Sequence, residues 1–168
     1  MPTAQAAVIL STPPHARYLR FELAVDDASI IGATLMALAA RTDGQSIVLG
    51  IGAPSIVALG VTHMPITDYL RAFPNDLRMG NTDAPAALWC WVRGETRGDV
   101  WQWAREMEQL AAPGFRLLQA VDAFTYQSGR DLTGYEDGTE NPKGDAAVQA
   151  AIVPTGTLQG SGFVAVQQ

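Results

Sequence analysis

The chain has 168 residues, of which 48% are apolar and 17% are charged, and its net charge is −6. So much apolar side chain with so small a net charge excludes a disordered chain, and the length suits one globular domain while leaving little room for a second. Only one of the 11 basic residues is a lysine, and no stretch could neutralise a row of phosphates, which excludes nucleic acid as a partner.

The cysteine content and the N-terminal residues indicate the cellular compartment of the protein. Cys90 is the single cysteine, so the chain forms no internal disulfide and offers no cysteine spacing for a metal site. No basic residue precedes the short apolar patch 6–10, and no apolar run approaches the roughly 20 residues that span a bilayer. The sequence therefore predicts a cytoplasmic protein that does not cross a membrane.

Strand and helix patterns begin early in the chain. Apolar and polar residues alternate from Arg17 to Val25, which is the period of a half-buried strand. Asp26 and Asp27 then offer N-caps to a helix with apolar residues at helical spacing, which Asp43-Gly44 brings to an end.

Weaker patterns follow. Ser46 to Ile51 is a short apolar strand, and Ala53 to Gly60, with a proline in its first turn, predicts a brief helix. Val61 to Pro85 is rich in Pro, Gly, Asn and Asp and predicts a long surface connection, with one helical turn around Thr67 to Ala72.

The next three elements complete a recognisable order. Ala87 to Val92 is a third strand, and a second amphipathic helix begins near Asp99, with Gln102 three residues later as in a capping box. Its apolar stripe ends at Pro113-Gly114, and Phe115 to Ala123 is a fourth strand. The order βαββαβ predicts an α+β fold, a ferredoxin-like sandwich with an antiparallel sheet and both helices on one face.

The remaining residues, 127–168, are rich in glycine and turns. They allow one short helix at Asp145 to Ile152 and a strand that begins near Gly162. We therefore divide the chain into a ferredoxin-like domain (1–126), a connecting segment (127–160) and the start of a second, otherwise absent domain (161–168). An open strand at that end predicts association with a missing second half or with another copy, and hence a homo-oligomer.

Acidic residues alternate with glycines directly after the fourth strand, in the run Gly-Arg-Asp-Leu-Thr-Gly-Tyr-Glu-Asp-Gly-Thr-Glu-Asn-Pro from Gly129 to Pro142. Glycines permit tight turns and a close approach to a ligand. Asp137, between Gly134 and Gly138, is therefore a candidate acid or base. Without the extended motif, an Asp before a Gly is better explained as a turn cap.

This run resembles the hallmark Gly-x-x-Asp-Gly of the dye-decolourizing (DyP-type) haem peroxidases, and it continues with Thr-Glu-Asn-Pro as the family does. Pro13 to Leu19, leading into the first strand, and Gly160 to Gln167 are also similar to the family. The resemblance covers the first half of the family's architecture. It implies a peroxidase that uses haem b and hydrogen peroxide to oxidise an organic electron donor such as a dye or a phenol.

The same resemblance implies roles for individual residues. Asp137 would help to move a proton between the two oxygens of hydrogen peroxide, while Gly138, Thr139 and Glu140 would line the haem edge. Because an aspartate stays ionised in acid where a histidine is protonated, an acidic pH optimum is expected.

The family's proximal histidine and distal arginine are expected beyond this chain, so the chain alone is expected to be inactive. His15 and His63 lack the context of an axial ligand and are interpreted as ordinary histidines. Arg130, Asp131 and Glu136 are interpreted as positioning or solvent-facing residues.

The four tryptophans, Trp89, Trp91, Trp101 and Trp103, are predicted to pack in the core, although an exposed one, like Tyr135, could relay electrons. Cys90 is predicted to be a small buried residue. Two alternatives to a peroxidase stay open: a haem-free ferredoxin-like binding or assembly module, and a protein that acts on haem as an iron source.

Overall fold

The computed structural model describes residues 4–62, 64, 85–127 and 129–166. In chain order the elements are strand β1 (His15–Leu23), helix α1 (Ala28–Arg41), strand β2 (Ile47–Ile51), helix α2 (Ala53–Ala58), strand β3 (Leu88–Gly94), helix α3 (Arg97–Ala111), strand β4 (Phe115–Phe124) and helix α4 (Asp145–Ala151). Among these helices, none combines the length and the apolar character needed to cross a bilayer.

The four strands form one sheet in the order β2-β3-β1-β4, and each neighbouring pair is antiparallel. This order places the two strands joined by α1 on either side of β3, so that the connections cross over the sheet. The α+β ferredoxin-like fold predicted from the element order is confirmed.

The core lies on one side of the sheet, which we call the helix face. The strands contribute alternate residues to it, as a period of two requires, and α1 and α3 contribute one stripe each. Its buried side chains include Leu19 and Phe21 of β1, Leu88, Cys90 and Val92 of β3, Ile31 and Leu38 of α1, and Val100, Ala104, Met107 and Ala111 of α3.

Both long helices begin at side-chain caps. The Asp27 carboxylate accepts from the backbone N–H groups of Ser29 and Ile30 at the start of α1, as predicted. The predicted start of α3 at Asp99 is wrong. Thr96 is the N-cap, its hydroxyl oxygen accepts from the Asp99 N–H at 3.1 Å, and its hydroxyl donates to the Asp99 carboxylate at 2.8 Å. Asp99 is therefore the third helical residue, where its negative charge favours the helix terminus.

Most other bounds differ from the predictions by only a few residues. β1 begins at His15 instead of Arg17, β3 extends to Gly94, and β4 extends to Phe124 because its last residues pair with the start of β1. The predicted helical turn at Thr67 to Ala72 lies outside the described residues.

The N-terminal segment closes one edge of the sheet. The Gln5 side-chain amide donates to the Leu49 carbonyl and accepts from the Leu49 N–H, both at 2.8 Å, so it pairs with β2 as a neighbouring strand would. Arg93 donates to the Ala7 carbonyl at 3.0 Å and to the Ser11 carbonyl, and its guanidinium lies 4.6 Å from the Trp91 ring centroid.

Residues 162–166 do not form the predicted strand. A strand needs backbone partners, and within the described chain no strand of the sheet pairs with this segment. The segment instead contributes Val164, Ala165 and Val166 to the wall of a cavity on the second face of the sheet, which we call the open face.

Candidate functional site

The loop that carries the Gly-x-x-Asp-Gly motif starts where β4 ends. The Thr125 N–H donates to the Pro14 carbonyl at 3.0 Å, and the Thr125 hydroxyl donates to the Pro13 carbonyl at 2.6 Å. These two bonds tie the first residue of the loop to the segment that precedes β1. The loop therefore leaves the sheet from a fixed point.

Both glycines of the motif have backbone angles that other residues rarely adopt. Gly134 has φ of +96° and Gly138 has φ of +73°, in the region that favours glycine because it lacks a Cβ atom. At Gly138 an added Cβ would also lie 2.8 Å from the Asn141 Nδ2 atom. The motif thus requires glycine at these two positions for a backbone reason, independent of any ligand.

Hydrogen bonds within the loop fix the backbone in front of Asp137. The Asp131 carboxylate accepts from the N–H groups of Thr133 and Tyr135, while Arg130 donates to the Gly134 carbonyl at 2.7 Å. The Asp137 N–H donates to the Gly129 carbonyl at 3.2 Å. The hydroxyl of Thr133, and then the backbone donors, hold the pKa of Asp131 below its usual value.

The structure places the four residues predicted for the site along one turn of this loop. Asp137, Thr139 and Glu140 are exposed, and Gly138 is half-buried. The two cavities described below are lined by other residues. The roles assigned to these four residues by resemblance stay predictions.

A haem site needs an axial ligand, apolar walls and polar groups over the iron. In the part of the chain that the structure describes, no three His, Cys, Asp or Glu side chains cluster as metal ligands, and the described histidine, His15, lies on β1 opposite Phe124. Asp137 fits the polar group, since its carboxylate is accessible for proton transfer. The described residues supply neither the axial ligand nor the walls, so they fit one part of such a site.

A second cluster lies on the open face of the sheet and joins three aromatic rings. Tyr18 stacks on Trp89 and on Trp91 with ring centroids 5.8 Å and 6.1 Å apart, and the two indoles are 6.4 Å apart. These rings, with Val8, Val48 and residues 164–166, line a cavity of about 360 Å³. Both indole N–H groups are buried and find no hydrogen-bond partner among the described residues.

The prediction of core packing therefore fails for Trp89 and Trp91, which are half-buried outside the core. The sequence did contain a signal for this placement. Side chains alternate between the two faces of a strand, and both tryptophans flank Cys90, which faces the helices. Trp103 does pack against the core, and Trp101 is 50% exposed. Cys90 is buried as predicted, and burial raises the pKa of its thiol to about 12, which makes it a poor nucleophile.

A third feature is a groove between α3 and the sheet, with a volume of about 250 Å³. Leu19, Ala104 and Ala120 form its apolar part, and Trp101 is at its rim. Two arginines and one glutamate also line it, namely Arg17, Arg105 and Glu108, and Arg17 is engaged by Asp122 at 3.3 Å. With Arg17 paired to Asp122, Arg105 and Glu108 leave one charge of each sign in the lining.

Comparisons with known proteins point to a single family. The family model described as "Dyp-type peroxidase, C-terminal" matches residues 128–168, which include the whole Gly-x-x-Asp-Gly motif. A dye-decolorizing peroxidase from Mycobacterium tuberculosis is 30% identical over 86 residues, covering 50% of this chain and 26% of the relative. A dye-decolorizing peroxidase from Rhodococcus erythropolis is 33% identical over 86 residues, covering 50% of this chain and 25% of the relative.

Solved structures give the same result for the fold. A putative dyp-type peroxidase protein from Shewanella oneidensis superposes with a TM-score of 0.66 at 26% identity, covering 91% of this chain and 53% of that one. A dye-decolorizing protein from V. cholerae gives 0.69 at 17% identity, covering 95% and 55%. A variant of Rhodococcus jostii RHA1 DypB in complex with heme gives 0.63 at 20% identity, covering 91% and 52%.

The alignments thus cover about half of each solved relative and about a quarter of each curated one. The structural matches cover most of the fold, and the family model covers the motif. In its fold and in its motif, the chain is similar to the DyP-type peroxidases.

Proposed function

We propose that this chain supplies the distal carboxylate of a haem peroxidase that reduces hydrogen peroxide and oxidises an organic electron donor, such as a dye or a phenol. One observation carries the proposal. Asp137 lies between two glycines whose positive φ angles fix the turn, within a segment that matches the family model. The heme named for the Rhodococcus jostii structure supports haem as the cofactor, and we propose haem b.

In this proposal Asp137 takes a proton from one oxygen of hydrogen peroxide and delivers it to the other, so that water can leave. The haem, when bound, supplies the iron that binds the peroxide and the electrons for its reduction. Gly138, Thr139 and Glu140 would lie along the haem edge. As the family resemblance implies, we propose that the axial ligand and most of the pocket come from outside this chain, which alone would be inactive.

The test compares Asp137→Asn with the unchanged sequence, each within a polypeptide that also supplies the axial ligand and the rest of the pocket, and each purified with haem. Removing a general acid or base lowers a rate by about 10² to 10⁴-fold. We expect peroxide reduction to fall within that range while the Soret band and haem content stay the same. Asp145→Asn is the matched control, because Asp145 is an exposed acid in the first turn of α4. An Asp137→Asn protein that reduces peroxide at the normal rate would refute the assignment.

The exposure of Asp137 favours one alternative, a haem-free ferredoxin-like binding or assembly module. An absorption spectrum after incubation with haem distinguishes the two functions, because a haem-free module would show no Soret band. A pyridine haemochrome spectrum of the loaded protein would identify the haem type.

Two properties of the whole protein belong to this proposal. We propose that it works in the cytoplasm, in keeping with a single cysteine that is buried and reduced. We also propose that it self-associates or joins a second half through residues 162–166, which would form a strand only beside a partner. Sedimentation analysis of the purified protein would test the association state.

A further inference from the structure

The motif loop takes its shape from two of its own side chains. The first is Asp131. Its Oδ1 atom accepts from the Thr133 N–H at 2.9 Å, the Thr133 hydroxyl at 2.5 Å and the Tyr135 N–H at 3.2 Å. One carboxylate oxygen of Asp131 therefore accepts three hydrogen bonds, all from two residues that precede Asp137, namely Thr133 and Tyr135.

The second is Arg130, whose side chain reaches across the loop to residues that follow it in the chain. Its guanidinium donates to the Gly134 carbonyl at 2.7 Å and to the Glu136 carboxylate at 3.3 Å. Its backbone lies between those of Tyr126 and Glu136, in an isolated bridge with each. Arg130 thus joins the start of the loop to the residue next to Asp137.

Backbone hydrogen bonds within the loop, such as those from the Asp131 N–H to the Tyr135 carbonyl and from the Asp137 N–H to the Gly129 carbonyl, also support this backbone, but packing against the core does not. Asp131, Leu132, Thr133, Gly134, Tyr135, Glu136 and Asp137 are all exposed, and none belongs to the core. An exposed segment with several glycines would otherwise lose conformational entropy whenever it is ordered against a ligand. A loop that is already ordered avoids much of that loss at binding.

We propose that Arg130 and Asp131 are positioning residues, which hold the turn from Gly134 to Gly138 in its final shape before any cofactor binds. The preformed shape concerns this chain alone, whereas its benefit for haem rests on the proposed function. The low pKa of Asp131 agrees with the proposal, because the donors around it favour the charged carboxylate.

Amide hydrogen exchange of the haem-free protein tests the preformed shape. In Asp131→Ala we expect the Tyr135 N–H, which donates to this carboxylate, to exchange about tenfold faster, the factor that corresponds to losing a hydrogen bond to a charged group. The Asp137 N–H, which donates to the Gly129 carbonyl, should also exchange faster because that bond depends on the shape of the loop. Asp131→Asn keeps an acceptor oxygen and should restore part of the protection. Glu95→Ala removes an exposed acid outside the loop and should leave these amides unchanged.

Unchanged exchange at Tyr135 and Asp137 in Asp131→Ala would overturn the proposal. If the core amides of β1 also exchange faster in Asp131→Ala, that variant has lost general stability, and the outcome is then decided by Asp131→Asn and Arg130→Lys. Loss of protection confined to the loop in either of them supports the proposal, and full protection in both overturns it.

Haem titration tests the benefit for cofactor binding. It follows the Soret band of a polypeptide that also supplies the axial ligand and the rest of the pocket. We expect Asp131→Ala to bind haem about tenfold more weakly than the unchanged protein, and Glu95→Ala to bind equally well. Equal haem affinity in Asp131→Ala would overturn the positioning role toward haem. If the unchanged protein takes up no haem, the proposed function fails, and the exchange result still decides whether the loop is preformed.

Discussion

Replacing Arg93 with methionine should release the N-terminal segment from the sheet. Arg93 is 8% exposed, lies over the Trp91 ring and donates to the carbonyls of Ala7 and Ser11. Methionine has a similar length and preserves much of the apolar contact, but it donates no hydrogen bond. The change therefore removes the polar attachment and leaves the packing largely in place.

The magnitude follows from these contacts. A hydrogen bond from a charged group contributes about 1.5 kcal/mol or more, and two of them give about 3 kcal/mol. Part of this is offset because the variant no longer buries a charge, so we expect the free energy of unfolding to fall by about 2 kcal/mol. Denaturant unfolding measures the change, and Arg93→Lys, which keeps the charge, should lose less.

Two local readouts distinguish release of the segment from general destabilisation. The Leu49 N–H, which donates to the Gln5 side chain, should exchange faster than the other amides of β2. Burial raises the pKa of Tyr18, and the charge of Arg93 lowers it in part. In Arg93→Met the pKa of Tyr18 should therefore rise further. Wild-type stability together with an unmoved Tyr18 titration would show that Arg93 does not anchor the segment.

Two more predictions concern the stability of the fold. Gly52→Ala should reduce the free energy of unfolding by about 3 kcal/mol, since the new Cβ would lie 1.7 Å from the Ala86 carbonyl oxygen, whereas Gly98→Ala in α3 should be neutral or stabilising in the same denaturant titration. The Asp43 carboxylate accepts from the N–H groups of Gln45, Ser46 and Ile47, and these bonds outweigh burial and hold its pKa below the ordinary value of 3.8. Asp43→Ala should therefore be less stable than the unchanged protein above pH 3.8, and the difference should shrink as the pH falls through the lowered pKa. A difference that grows in acid, or a Gly52→Ala protein as stable as wild type, would contradict the reasoning.

The fold was predictable because its signals are local and repeated. Alternation in β1, the Asp27 cap and the apolar stripe of α3 each agree with the element that forms. The start of α3 was misplaced because two residues, Thr96 and Asp99, can each cap a helix, and only the backbone shows which one does. Propensity alone does not separate them.

The motif loop was predictable as a loop, but its internal structure was not. The roles of Arg130 and Asp131 depend on bonds to Gly134, Tyr135 and Glu136, and no periodic pattern encodes such contacts. The strand predicted after Gly162 shows a different limit. Apolar alternation favours a strand, yet a strand forms only beside a partner, and composition does not reveal whether one is available.

The Gln5 amide gives the domain a starting point earlier than its first strand. It occupies both hydrogen-bonding groups of Leu49, and thus ends the β2 side of the sheet without a fifth strand. A polypeptide that begins at β1 would leave the backbone N–H and carbonyl of Leu49 without the hydrogen bonds that Gln5 supplies. We therefore regard the leading residues as part of the folding unit, and an N-terminal tag is best separated from them by a spacer.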